Sequence, residues 1–192
     1  MKTLPIILAS ASPRRADLLR AMGLTFAVIP GEATELHDDQ LTAAEVSRLN
    51  AFRKARAVAV RHADSLVIGA DTLVYLDETL FGKPATMAAA RQMLKCLQGR
   101  THQVVTGVCL IHLKSGRRRV FAEMTAVKFR PLTAPQIREY LEAINPLDKA
   151  GGYAIQENGD KIVEEIAGSY NNVVGLPTER LQAEIEAFAA RR

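Results

Sequence analysis

The sequence has few aromatic residues, and tryptophan is absent. Aromatic residues make up 5% of the 192 positions, so a stacking platform for single-stranded nucleic acid is not expected. The formal net charge is +4, but the basic residues form no long tract of the kind that suggests nucleic acid. We therefore expect no nucleic-acid partner, and the mild basic excess fits a small anionic substrate.

Cysteines and long apolar runs are also scarce. Cys96 and Cys109 lie among apolar neighbours without metal-ligand spacing, which predicts reduced core thiols in a cytoplasmic protein. No apolar stretch approaches the ~18 residues of a membrane-spanning helix, and the N-terminus has no signal-peptide pattern. We expect no membrane partner, and the 48% hydrophobic and 24% charged content is typical of a globular protein. The length suits one domain or a compact two-lobed one, and we predict a single domain over residues 1–192.

A short apolar run before residue 9 predicts a strand that leads directly into a helix. Ser12 suits the N-cap and Pro13 the first helical position. The first turn of a helix presents N–H groups and a partial positive charge, to which Arg14 and Arg15 add two cations. This pattern favours a bound phosphate. An ordinary helix with two solvated arginines is an equally strong interpretation.

Helical and strand patterns alternate early in the chain, and a hairpin follows in the middle. Thr42 with Glu45 predicts a capping box, and residues 66–76 predict a strong strand. Residues 153–156 and 161–166 predict two short strands late in the chain. The order predicts an α/β protein with a mixed sheet.

Asp71 stands inside the apolar strand 66–76. An unpaired buried carboxylate is costly, and Gly69 and Ala70 leave room beside it for a ligand. We favour a functional role, while a structural aspartate paired with backbone amides or an arginine is the alternative. By themselves, Lys54 is typical of a solvated helix residue and Glu35 of a loop acid.

Several familiar catalytic patterns are missing. The histidines lack the spacing of a zinc site or a hydrolase triad, and there is no P-loop or dinucleotide fingerprint. Lys83, on the short loop 82–84, resembles a phosphate-binding lysine. The cations, carboxylates and helix end together suit metal-assisted attack of water on a phosphoanhydride. The histidines are His37, His62, His102 and His112.

Six stretches follow one another along nearly the whole chain: LASASPRR (8–15), GADT (69–72), GKP (82–84), GRTH (99–102), DKAGGYAIQ (148–156) and GSYNNVVGLP (168–177). In this order they closely resemble the Maf family of nucleoside triphosphate pyrophosphatases. The resemblance implies a Maf or ITPase-like α/β fold, with a mixed central sheet flanked by helices and two lobes around a cleft. It also implies cleavage between the α and β phosphates, a divalent cation (Mg²⁺ or Mn²⁺) and a homodimer.

The resemblance also implies roles for individual residues. Asp71 matches the catalytic proton acceptor, and with Glu35 it matches the carboxylates near the metal. Arg14, Thr72 and Gln156 match positions that mark the branch acting on dTTP and UTP. The residues matching substrate-binding positions are Ser10, Arg14, Arg15, Lys54 and Lys83.

Two other functions fit the same cleft. One is a pyrophosphatase for purine or methylated guanine nucleotides, and the other is a non-catalytic, nucleotide-binding regulator of cell division. A pure binder needs the cations but not a general base, so the role of Asp71 distinguishes these alternatives from one another.

Overall fold

The computed structural model describes residues 4–36, 38 and 40–190, so His37, one of the histidines considered above, lies outside the described residues. In chain order the strands are β1 (Ile6–Leu8), β2 (Phe26–Val28), β3 (Leu66–Leu76), β4 (Thr79–Phe81), β5 (Thr101–His112), β6 (Arg117–Phe129) and β7 (Val163–Ala167). The helices are α1 (Pro13–Ala21), α2 (Ala43–Ala59), α3 (Met87–Leu97), α4 (Ala134–Glu142), α5 (Gly159–Ile162), α6 (Tyr170–Val174) and α7 (Thr178–Ala190).

The strands form one mixed sheet in the order β2-β1-β3-β5-β6-β7, with β4 paired to β3. β1 runs parallel to β2 and to β3, with Leu8 opposite Val28 and Ile68. β4 is antiparallel to β3, and β7 is antiparallel to β6. Helices connect the parallel strands, as such connections require. The predicted α/β class with a mixed sheet is confirmed.

Threonine residues start three of the helices. Thr42 Oγ1 accepts a hydrogen bond from the Glu45 N–H at 3.3 Å, and the Glu45 carboxylate accepts one from the Thr42 N–H at 2.9 Å. These reciprocal bonds form the predicted capping box at the start of α2. Thr86 Oγ1 accepts from the N–H of Ala89 at 3.1 Å at the start of α3. Thr133 precedes α4, where its N–H donates to Gln136 Oε1 at 2.8 Å.

The prediction of two short strands late in the chain is wrong for the first strand and shifted for the second. Residues 153–156 form no strand, and the strand that follows them is β7, preceded by the short helix α5. Asn158 has a positive φ of 55°, a conformation that asparagine tolerates better than most residues. The chain turns there into α5, so the apolar residues 153–155 are buried by tertiary contacts and not by sheet pairing.

Two compact units divide the chain. The first comprises residues 1–71, 106–123 and 175–192, and the second comprises residues 72–105 and 124–174. Two clusters of buried apolar side chains lie in the first unit and one lies in the second. The single domain over residues 1–192 stays a prediction.

Both cysteines lie in regular elements, Cys96 in α3 and Cys109 in β5. Cys96 and Cys109 are both free thiols, and burial raises the pKa of Cys109 to about 12. None of the helices in the described part of the chain has both the length and the apolar character of a membrane span.

Candidate active site

The beginning of α1 holds three of the predicted substrate-binding residues, all in the first unit. Ser10 is buried, and its Oγ accepts hydrogen bonds from the Ser12 N–H at 3.2 Å and from the Arg15 guanidinium at 3.1 Å. Arg15 Nε also donates to the carbonyl oxygen of Gly175 at 2.9 Å. Arg15 is therefore fixed against the chain and is not a freely solvated arginine. Arg14 is half-buried beside it.

Lys54 joins the two predicted carboxylates of the first unit. Its Nζ lies 2.6 Å from Asp71 Oδ1 and 2.8 Å from Glu35 Oε1. The Asp71 side chain is 6% exposed and that of Lys54 is 14% exposed, whereas Glu35 is 45% exposed. Asp71 is thus a buried carboxylate with a cationic partner, as burial of a charge requires.

Asn50 is a member of the site that the sequence reasoning missed. It is 2% exposed, and its Nδ2 donates to Asp71 Oδ2 at 3.2 Å. The same amide pairs with the backbone of Leu36, accepting from its N–H at 2.8 Å and donating to its carbonyl at 3.1 Å. Asn50 therefore links the loop that carries Glu35 to the strand that carries Asp71. Its position four residues before Lys54, on the same helix face, is the signal that could have identified it.

Small residues let α2 approach the sheet closely enough for these contacts. A Cβ at Gly69 in β3 would lie 2.8 Å from the Cβ of Ala55, and one at Gly107 in β5 would lie 2.5 Å from the N atom of Arg48. No real side chain tolerates such distances. Glycine at these two positions brings α2 against β3, so that Asn50 and Lys54 reach Asp71.

The charges around Arg15 are coupled. Burial lowers the pKa of Arg15, and the nearby Arg14 lowers it further, whereas Asp71 and Glu35 act in the opposite direction. The structure thus brings together six of the predicted site residues within the first unit. They are Ser10, Arg14, Arg15, Glu35, Lys54 and Asp71.

The other three predicted site residues belong to the second unit. Thr72 follows Asp71 directly in β3 and is half-buried. Lys83 is exposed on the loop after β4, and Gln156 is exposed in the turn before α5. Within this unit the N–H of Gly151 donates to the carbonyl oxygen of Gly82 at 3.0 Å. The loop of Lys83 is therefore bonded to the segment that leads to Gln156.

Glu35 and Asp71 supply oxygen donors of the kind that Mg²⁺ and Mn²⁺ prefer. The described residues contain no group of three or more histidine, cysteine or acidic side chains able to hold a metal ion. A site with two carboxylates fits Mg²⁺, which commonly takes one or two carboxylates and completes its shell with substrate phosphates and water. The residues present therefore fit a cation that binds together with a polyphosphate.

The first unit combines two chemical capacities. Asp71 is held at one oxygen by an amide and at the other by an ammonium, so its carboxylate has one fixed orientation and can accept a proton from a correctly placed water. Two arginines at a helix N-terminus can bind phosphate oxygens. A base beside an anion site is the arrangement that hydrolysis of a phosphoanhydride requires.

Comparison with known proteins identifies the family. A family model described as Maf-like protein matches residues 5–188. The chain belongs to the Maf family. Curated relatives match most of its length: a dTTP/UTP pyrophosphatase of Symbiobacterium thermophilum is 47% identical over 95% of this chain and 93% of its own. One of Halalkalibacterium halodurans is 46% identical over 97% and 98%, and one of Desulforamulus reducens is 43% identical over 96% of each chain.

Membership of the Maf family confirms the resemblance noted in the sequence. The matched region includes each of the predicted site residues, from Ser10 to Gln156. The roles of these individual residues stay predictions, which the geometry above makes specific enough to test.

Proposed function

We propose that this Maf-family protein hydrolyses dTTP and UTP to the monophosphate and pyrophosphate. The observation that carries the proposal is the buried Asp71 carboxylate, which Asn50 and Lys54 hold at its two oxygens. Curated relatives at 43–47% identity that carry the name dTTP/UTP pyrophosphatase support the substrate.

Asp71 is the general base in this proposal. The oxygen of a water molecule attacks the α-phosphorus, the bond from that phosphorus to the α–β bridging oxygen breaks, and pyrophosphate leaves. Asp71 accepts the proton that the water loses. Positioning of a base in this way contributes about 10²–10⁴ to a rate. Lys54, which contacts both carboxylates, holds the Asp71 carboxylate in place until substrate binds.

Cations of the chain bind the triphosphate. Arg14 and Arg15 lie at the N-terminus of α1, where guanidinium groups and backbone N–H groups can share the phosphate oxygens. Ser10 fixes the Arg15 guanidinium, and Lys83 supplies a further cation from an exposed loop. Charge that develops on the phosphates in the transition state is stabilised by these fixed groups.

The proposed cofactor is Mg²⁺ or Mn²⁺, held by Glu35 and Asp71. When bound, such a cation neutralises phosphate charge and polarises the oxygens bound to it. Glu35 is the more exposed of the two carboxylates, so it is accessible to a cation that arrives with the nucleotide.

Base choice is assigned to Gln156, Thr72 and Arg14. Thymine and uracil present a carbonyl, an N–H and a second carbonyl along their pairing edge, and the amide of Gln156 offers both a donor and an acceptor to that pattern. Gln156 is exposed and therefore available to a ligand. A site that pairs with a polar edge rejects other bases strongly, because its own polar groups are then left unpaired.

A pyrophosphate-release assay over a panel of triphosphates tests the function. We expect kcat/KM for dTTP and UTP to exceed that for CTP, ATP and GTP, with the nucleoside monophosphate as the second product. A higher value for GTP or a methylated guanine nucleotide would replace this substrate with the purine alternative. Tight nucleotide binding without any hydrolysis would indicate the regulatory alternative.

We also propose a homodimer that works in the cytoplasm without a nucleic-acid or membrane partner. The family resemblance supports the dimer, and the two free thiols are consistent with a reducing compartment. Light scattering in solution tests the dimer, since it would give twice the mass of one chain.

A further inference from the structure

Residues 153–156, the segment that ends at Gln156, belong to neither a strand nor a helix. Tyr153, Ala154 and Ile155 are buried, whereas Gln156 is exposed. Buried backbone N–H and C=O groups outside regular structure need other partners, because an unpaired group costs free energy. The partner of Ala154 therefore decides how this segment is held.

That partner is the side chain of Tyr140 in α4. The Tyr140 hydroxyl donates to the carbonyl oxygen of Ala154 at 2.9 Å and accepts from the N–H of Ala154 at 3.0 Å. Tyr140 is 1% exposed, and burial raises its pKa to about 12. The hydroxyl is therefore protonated at neutral pH and can make both bonds at once. One side chain satisfies both backbone polar groups of Ala154.

Two further contacts fix the residues around Gln156. The Tyr153 hydroxyl lies 2.8 Å from His102 Nε2, and burial lowers the pKa of His102 to about 4, so this ring is neutral at pH 7. On the other side of Gln156, the carboxylate of Glu157 lies 3.4 Å from Lys149 Nζ. Tyr153 and Ala154 before Gln156, and Glu157 after it, thus each have a polar partner within the second unit.

We propose that Tyr140 is a positioning residue for base selection, which holds the backbone of Ala154 so that the turn presents Gln156 in one orientation. The inference rests on the proposed function, because the position of Gln156 matters only if its amide reads the base. Tyr140 is buried and acts through the backbone, so it selects the base without contacting it. A fixed amide discriminates better than a mobile one, because a mobile amide can rearrange to pair with the wrong base.

Tyr140→Phe tests the proposal, since it removes the hydroxyl and keeps the ring. We expect the ratio of kcat/KM for dTTP to that for CTP to fall about five- to tenfold, the effect of losing one or two hydrogen bonds. The ratio should approach that of Gln156→Ala. In the Gln156→Ala background, Tyr140→Phe should change the ratio no further, because the two residues act as one unit.

Hydrogen exchange gives a readout that does not depend on activity. The amide of Ala154 should exchange faster in Tyr140→Phe than in the wild type, because its acceptor is gone. Ile137→Val is the matched control: Ile137 is 3% exposed one turn earlier on the same helix. This change lowers stability by shortening a core side chain, and we expect it to leave the substrate ratio unchanged.

The results of these experiments distinguish a failure of the proposed function from a failure of the role proposed for Tyr140. A wild-type enzyme with no preference for dTTP over CTP would overturn the proposed function. A wild-type preference that survives in Tyr140→Phe, while the Ala154 amide exchanges faster, would overturn only the role of Tyr140. An equal fall of the ratio in Ile137→Val would also overturn it, because lost stability would then explain the change.

Discussion

The two oxygens of Asp71 have different partners, an amide and an ammonium. Asn50 Nδ2 lies 3.2 Å from one and Lys54 Nζ lies 2.6 Å from the other. These contacts suit two roles of the carboxylate, as a general base and as a structural ion-pair partner. A neutral side chain of the same size lowers kcat strongly if Asp71 is the general base, and leaves kcat nearly unchanged if Asp71 is only structural.

Asp71→Asn keeps the size of the side chain and removes its basicity. We expect kcat for dTTP to fall by about 10²–10⁴, while equilibrium binding of a non-hydrolysable dTTP analogue is retained. Asp77→Asn is the matched control, because Asp77 is an exposed aspartate that pairs only with the exposed Arg100 among the contacts described, and its kcat should equal that of the wild type. Near-normal turnover in Asp71→Asn would remove Asp71 from the mechanism.

At the scale of elements, close packing of α2 on the sheet creates the contacts of the site. Gly69 in β3 lies directly beneath α2, where a Cβ would meet Ala55 at 2.8 Å. Asn50 and Lys54, on the same helix, reach Asp71 two residues further along the strand. The packing of α2 on the sheet and the geometry of the polar site therefore both depend on Gly69.

Gly69→Ala should lower the free energy of unfolding by about 1–3 kcal/mol, because the added methyl overpacks the contact with α2. The change should also lower kcat/KM, since a displaced α2 draws Asn50 and Lys54 away from Asp71. Chemical denaturation measures the first effect, and kinetics under native conditions measure the second. A Gly69→Ala variant with unchanged stability and activity would show that α2 tolerates the methyl without moving.

Gly82→Ala provides the contrast for stability. No described atom lies within 4 Å of a Cβ built at Gly82, and its φ is not positive. The substitution should leave stability equal or raise it by about 0.4–1 kcal/mol, because alanine restricts the unfolded chain. Comparison of Gly69→Ala with Gly82→Ala therefore separates the loss of stability caused by overpacking from the effect that any glycine-to-alanine change has on the unfolded chain.

Local chemistry allowed most elements to be predicted from the sequence. The capping box at Thr42 and the strand at residues 66–76 depend on neighbours a few residues away, and both are confirmed. Residues 153–156 are an exception, because their conformation depends on a distant residue. Their apolar run predicts a strand, but the partner of Ala154 is Tyr140, a tertiary contact that no local pattern reveals. The contact of Asn50 with Asp71 is also tertiary, although the spacing of four residues between Asn50 and Lys54 is a local signal that places both on one helix face.

At the scale of the whole molecule, the Maf family match extends across both compact units, from residue 5 to residue 188. Six of the predicted site residues belong to the first unit. Thr72, Lys83 and Gln156 belong to the second. The family match thus includes the predicted residues of each unit.

At this scale, we expect the metal ion and the nucleotide to stabilise the folded protein together. Lys54 contacts both Glu35 and Asp71, at 2.8 and 2.6 Å, and Arg15 interacts electrostatically with both carboxylates. Two cations of the chain therefore balance this carboxylate pair, and folding does not need a metal ion for that purpose. We expect EDTA to abolish dTTP hydrolysis but to leave the Tm of the nucleotide-free protein unchanged. A ligand that binds only the folded state stabilises it by about 2.7 kcal/mol at a concentration one hundred times its Kd. A non-hydrolysable dTTP analogue together with Mg²⁺ should therefore raise Tm more than the two separate effects combined.

Glu35→Gln tests whether Glu35 is the residue through which Mg²⁺ raises Tm. The variant should lose most of the Mg²⁺-dependent part of the Tm increase and keep the part that the analogue gives alone, because an amide oxygen binds Mg²⁺ more weakly than a carboxylate. Glu32→Gln, an exposed acid of the same loop, should retain the full increase. A fall in Tm when EDTA is added to the nucleotide-free wild type would contradict the prediction, because it would make the cation part of the folded structure and not a companion of the substrate.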